Sequence, residues 1–229
     1  MPKEDPYSFY YPSTNADNVM SVAAIFEGEF SIDWLEELTA LKATLILSAV
    51  EKGVEEGTLR KKGPGIYSFA DEERRTARLT GLPRDERERY YRIMASILIR
   101  ELPDDDAKSL KIATYLRHVS NDAEGCGWLV RAGKTYAGSS TEMAIDCFEK
   151  VINDLMGKQG EAEDRLFVIA VLEYSNTVTL TRNTLKTLSL LHEAKMRAGR
   201  IGEESLRLLM EMHIAKQEWM SSHGEKALK

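Results

Sequence analysis

The sequence predicts a mainly α-helical protein: a module of three helices closed by a small β-hairpin, then a solenoid of antiparallel helix pairs. Three observations carry this expectation. Apolar residues make up 43% and charged residues 30%, with only six prolines in 229 residues, a balance that suits a helical chain rich in Ala, Leu, Glu, Lys and Arg. From residue 105 onward, apolar residues recur at helical spacing through stretches of about 13–19 residues separated by short turns. Between Trp128 and Val151, the small residues Ala132, Gly133, Ala137 and Ala144 alternate with Trp128, Tyr136 and Phe148. That alternation lets two helices joined by Gly138-Ser139-Ser140 approach closely and interlock. The expected layout is a tail over 1–15, the helix–hairpin module over 16–70, connecting helices over 71–104 and helical repeats over 105–229.

The elements follow in order. Residues 1–15, rich in Pro, Ser and Tyr, lack a helical period and read as a tail whose Tyr7, Phe9, Tyr10 and Tyr11 offer aromatic docking groups. Residues 16–26 form a short apolar helix. Ser31 caps a second helix over 32–39, with Asp33 favourably placed in its first turn. A third helix spans about 41–56, with Leu41, Leu45, Ala49 and Val50 as its buried stripe and Gly57 as its left-handed terminator. Leu59, Ile66, Tyr67 and Phe69 flank the turn Lys62-Gly63-Pro64-Gly65, the pattern of a hairpin. Three helices and a hairpin make a winged helix-turn-helix module.

Such a module often binds DNA, through Lys42 on the third helix and Arg60, Lys61 and Lys62 on the hairpin in this chain. Against that reading, the third helix also carries Glu51, Glu55 and Glu56, lacks the Arg, Asn or Gln side chains that read base edges, and sits in a chain of net charge −6. Protein docking is the preferred role and DNA binding the alternative.

Beyond Asp71 the chain reads as helical to its end. A short helix over 71–79 breaks at Gly81-Leu82-Pro83. The next has Tyr90, Ile93, Met94, Ile97 and Leu98 on one face, and arginines interleaved with acids on the other. Helices then follow near 107–119, 122–137, 140–156, 161–176, 181–198 and 202–220. Helix pairs of roughly 34–42 residues mark an α-solenoid, in which each pair buries its apolar face only against its neighbours.

Two stretches resemble known families. Trp128, Ala132, Gly133, Tyr136, Ala144 and Phe148 resemble the tetratricopeptide-repeat pattern, with Ala132 where that family usually has Leu. The resemblance implies a right-handed superhelix that binds peptides or docks domains. Residues 18–156 resemble the region after the nucleotide-binding core of large bacterial signal-transduction ATPases of the maltose-activator type. Ile66, Tyr67, Phe69, Arg89, Tyr90, Ile93 and Ala95 fit that pattern. It implies a winged helix followed by tetratricopeptide-like repeats. The ATPase core is absent, so nothing about ATP carries over.

Catalytic chemistry is not legible. Gly133-Lys134-Thr135 lacks the first glycine and the strand of a phosphate-binding loop. His118, His192, His213 and His223 are scattered without metal-ligand spacing. Asp104-Asp105-Asp106 reads as a helix-capping turn. Cys126 and Cys147 read as buried thiols, and Met210, Met212, Met220 and Trp219 as core packing. No cofactor or metal is expected. With no signal peptide and no run of about 20 apolar residues, a cytoplasmic location is expected. Glu225 reads as the start of a further helix that is cut short, which would leave the Trp219 edge exposed and favour a homodimer.

The functional expectation is a non-catalytic regulatory region that binds a protein or peptide partner on the solenoid and passes the signal to an output domain. Glu142, Asp146, Lys150, Arg165 and Glu173, expected on the first helix of each pair, are the candidate partner-binding residues.

Overall fold

The computed structural model describes residues 16–178 and 184–227. The tail and its aromatic docking groups lie outside them. The described residues form eleven helices and three short strands. The chain divides into two compact units, Met1–Arg100 and Glu101–Lys229.

The first unit opens with α1 (Ala16–Ala23), β1 (Glu29–Ser31), α2 (Ile32–Thr39) and α3 (Ala43–Glu55). Ser31 caps α2 as expected: its Oγ accepts from the Trp34 amide at 3.1 Å. The chain leaves α2 through Ala40, held at φ 54°. Gly57 leaves α3 at φ 70°, the left-handed conformation assigned to it from sequence. The hairpin is present as β2 (Leu59–Gly63) and β3 (Ile66–Phe69), with Gly65 at φ 70° in its turn.

Two features differ from expectation. First, β1 pairs antiparallel with β3, opposing Phe30 to Tyr67, so the sheet has three strands in the order β1-β3-β2. Three residues are too few for a period-2 signal. The strand is held instead by ring packing: Phe30 lies 5.3 Å from Phe26 and 6.3 Å from Tyr67. Second, α3 buries Ala49 and Val50 as expected but is turned so that Leu45 leaves the buried face. Ile46, Ala49, Val50 and Gly53 face inward, whereas Leu45 is 52% and Leu47 37% exposed. Gly53 dictates that face, because a Cβ there would lie 2.9 Å from the Met20 terminal methyl and 3.2 Å from Leu59. Only the glycine edge of α3 lets α1 and β2 come so close.

Next come α4 (Glu72–Thr80), capped by Asp71, and α5 (Arg84–Glu101). These expected connectors fall almost wholly within the first unit. α4 packs on α1 and β3, and Arg100 of α5 pairs with Glu37 of α2 at 2.7 Å.

The second unit is a row of helices: α6 (Asp106–Leu116), α7 (Ala123–Ala137), α8 (Thr141–Leu155), α9 (Glu161–Thr177), α10 (Thr184–Ile201) and α11 (Glu204–Ala227). Each packs on the next, and the short links make neighbours antiparallel. α7 also packs on α9, and α9 on α11, so the odd-numbered helices form a closed row. At the α7–α8 crossing, a Cβ on Gly133 would sit 2.5 Å from the fully buried ring of Phe148. The alternation of small and large residues read from the sequence meets there.

Buried polar groups tie the row together. Arg197, 2% exposed, lies 3.8 Å from the Phe167 ring centroid. It donates to the carbonyls of Leu155 (3.2 Å) and Lys158 (3.3 Å), to Asp164 (3.4 Å) and to Glu193 (2.8 Å). One side chain thereby satisfies the end of α8, the start of α9 and its own helix.

α11 runs unbroken through Ala227, so no new helix begins at Glu225. Met210 is buried, but Met212 is 59% exposed, which corrects its expected place in the core; Trp219, read both as core packing and as an exposed edge, is 61% exposed. Cys126 and Cys147 are buried free thiols. Burial pushes them up to about 12 and about 11 respectively, where little reactive thiolate exists at neutral pH.

Candidate functional site

The odd-numbered helices close one side of the second unit, and a groove opens between α8 and α10 on another. Its first part is a cavity of about 300 Å³ lined by Glu142, Ile145, Asp146, Glu149, Tyr174, Val178 and Lys186. Its second part, of about 260 Å³, is lined by Glu149, Ile152, Asn153, Met156, Lys186, Ser189 and Leu190. Glu149 and Lys186 border both parts. Their ion pair, 2.7 Å long, therefore forms the divider.

The local sequence explains the α8 wall. Ser140 caps α8, accepting from the Met143 amide at 3.4 Å. Glu142, Asp146, Glu149, Asn153 and Met156 then recur at alternating four- and three-residue steps, which align on one helix face. Ala144, Cys147, Phe148 and Val151 take the buried side. The groove face is acidic at the start of α8, where the helix dipole favours carboxylates, and apolar towards its end.

The divider is a three-group unit. The Tyr174 hydroxyl donates to Glu149 Oε1 at 3.0 Å, and the Lys186 ammonium donates to the same oxygen at 2.7 Å. Lys186 also lies 5.7 Å from the Tyr174 ring centroid. Burial, then the Glu149 hydrogen bond, pushes the Tyr174 hydroxyl up; the bond to Glu149 raises Lys186. Both stay protonated at neutral pH, so the divider carries no net charge. Glu142 and Asp146 are exposed and make no ion pair among the described residues. The upper groove is therefore net negative.

Two of the five expected partner residues, Glu142 and Asp146, thus share one cavity. Lys150 turns away to Asp154 at 2.6 Å, and Asp154 accepts from the side-chain amide of buried Asn121 at 2.7 Å. Arg165 pairs with Glu161 at 3.5 Å and with Glu203. Glu173 pairs with Lys134 at 3.2 Å, joining α9 to α7. These three hold neighbouring segments together. The expected helix assignment also changes. Glu142, Asp146 and Lys150 lie on α8, which is the second helix of the hairpin formed with α7. Glu149, Tyr174 and Lys186 were not singled out from the sequence. The seven-residue step from Glu142 marked Glu149, but only the packing of α10 brings Lys186 opposite.

In the first unit, Lys42, Arg60, Lys61 and Lys62 are all exposed. Lys62 borders a cavity of about 270 Å³ whose lining includes Glu29, Asp71, Glu72 and Arg75. The Arg75 guanidinium is tied to Glu72 at 2.6 Å. The exposed side of α3 bears Leu45, Leu47, Glu51 and Glu55 beside Lys52, a mixed surface without a basic stripe.

Among the described residues, no group of three His, Cys, Asp or Glu is arranged to hold a metal ion. None of their helices is long and apolar enough to cross a membrane. No family model, curated protein or solved structure matches this chain.

Proposed function

We propose that this chain is a non-catalytic protein-interaction region of a bacterial signal-transduction or transcription-regulating protein. In this reading its first unit is a winged-helix module and its second a tetratricopeptide-like solenoid. A partner segment lies in the α8–α10 groove, and its binding is passed to an output domain. The observation supporting the reading is the couple Glu142 and Asp146, without an ion pair among the described residues, above an apolar half-groove formed by Ile152, Met156 and Leu190. This arrangement suits a segment with basic residues followed by apolar ones, since oppositely charged surfaces select partners and apolar contacts supply affinity.

The test is fluorescence anisotropy with a labelled octapeptide carrying two arginines followed by two leucines, alongside a counterpart with two glutamates. The arginine peptide binds, the glutamate peptide does not, and Glu142→Lys/Asp146→Lys abolishes the difference. Equal binding of both peptides, or of neither, refutes the groove reading.

The second reading is a DNA-binding regulator, favoured by the exposure of Lys42 and of Arg60, Lys61 and Lys62 on the hairpin. Titration of a duplex oligonucleotide decides it. A log–log salt slope of about −3.6, set by those four cations and cut to about −0.9 on replacing the hairpin three, supports it. Absence of binding at low salt excludes it.

A further inference from the structure

We propose that α11 is a self-association surface on which a second copy of this chain docks, the two α11 helices lying parallel about a twofold axis. The helix has two apolar faces. Met210, His213, Ile214 and Gln217 are buried, and α11 packs on α10 and α9. At 100° per residue, the opposite side carries Leu208, Met212, Ala215 and Trp219. All four are exposed, Leu208 at 51%, Met212 at 59% and Trp219 at 61%. Their steps of four, three and four residues are those of a coiled-coil seam. A helix that is apolar on both sides belongs between two layers, and the helices described for this unit pack on one of them, through α9 and α10. Large Met and Trp side chains at such a seam are typical interface anchors.

The charges beside the seam select the occupant and its direction. One flank carries Glu204, Glu211 and Glu218 at seven-residue steps; the other carries Leu209 and Lys216. An antiparallel pair would set glutamates against glutamates. A parallel pair sets Glu211 of each copy near the partner's Lys216 and leaves like charges apart. Glu211 already accepts from Lys195 at 2.9 Å and from Arg207 at 2.6 Å, and a carboxylate has acceptor sites to spare. The surface is thus complementary to itself in one orientation. The seam from Leu208 to Trp219 is short, so association is weak and dependent on concentration.

Light scattering on the full chain tests this, from about 1 μM to about 200 μM, the span over which a small interface dissociates. The wild-type mass rises from 25.9 kDa toward twice that value. Met212→Lys stays monomeric with an unchanged circular-dichroism melt; Trp219→Ser serves in its place if that variant loses helicity. Lys216→Glu weakens the dimer several-fold at low salt. Leu208→Cys treated with diamide gives a disulfide-linked dimer, because at the end of the seam only a parallel pair brings equivalent positions together; Cys126 and Cys147 are buried and do not compete. A wild type that is monomeric throughout overturns the proposal and leaves the face to a different partner. A dimer indifferent to Met212→Lys and Trp219→Ser places self-association elsewhere and overturns it too. Loss of the dimer in Met212→Lys without crosslinking in Leu208→Cys overturns the parallel arrangement.

Discussion

At the residue scale, burial decides what each titratable group can do. His213 is 7% exposed, and its Nδ1 lies 3.1 Å from the hydroxyl of buried Ser175. Burial pushes its pKa down, and the nearby Lys216 charge pushes the same way. The unfolded chain, with an ordinary value of about 6.5, therefore takes up a proton before the folded one. The stability associated with this group is fully present above about pH 6.5 and is lost as pH falls through the depressed folded value. Urea midpoints at about pH 8 and about pH 5 should fall further for wild type than for His213→Gln, which removes the titration. An equal fall in both proteins would show that His213 is not coupled to folding. The histidine was visible in the sequence, but its burial against Ser175 was not, because Ser175 lies on another helix.

At the element scale, α3 shows how far periodicity reaches. A helix with apolar residues at 41, 45, 46, 49 and 50 offers two neighbouring phases about 100° apart. The sequence reading put Leu45 inward, whereas the close approach of Met20 and Leu59 to Gly53 selects the face of Ile46. Ile46→Ala should therefore cost about 2–5 kcal/mol in chemical denaturation. Leu45→Ala should change stability by less than about 1 kcal/mol. The reverse order would restore the phase read from the sequence. Five capped helix starts among the described residues behave differently. Ser31, Asp71, Asp105, Asp122 and Ser140 each accept from the amide three residues on. A cap needs only local backbone geometry, which is why such starts can be read from sequence.

At the scale of the whole molecule, the division at Arg100 and Glu101 separates two cores of different construction. The first surrounds an aromatic cluster of Phe26, Phe30, Tyr67 and Phe69. The second depends on successive helices stacking, with Arg197 and Asp164 satisfied inside it. Because the second unit contains its own buried residues and polar ties, residues 101–229 expressed alone should retain helical circular dichroism and a cooperative thermal transition. A featureless spectrum would show that the division does not mark an independent folding unit.

The sequence by itself determined the helical class, most helix starts, the hairpin, the burial of both cysteines and the Gly133–Phe148 crossing. Each is written in spacings of a few residues or in the size of a side chain. Only tertiary structure decided that a three-residue β1 completes the sheet. It likewise decided the phase of α3, and that Lys150, Arg165 and Glu173 have partners while Glu142 and Asp146 line a groove with no ion pair among the described residues. Those outcomes depend on which group lies opposite, and that is set by how distant helices pack rather than by either helix alone.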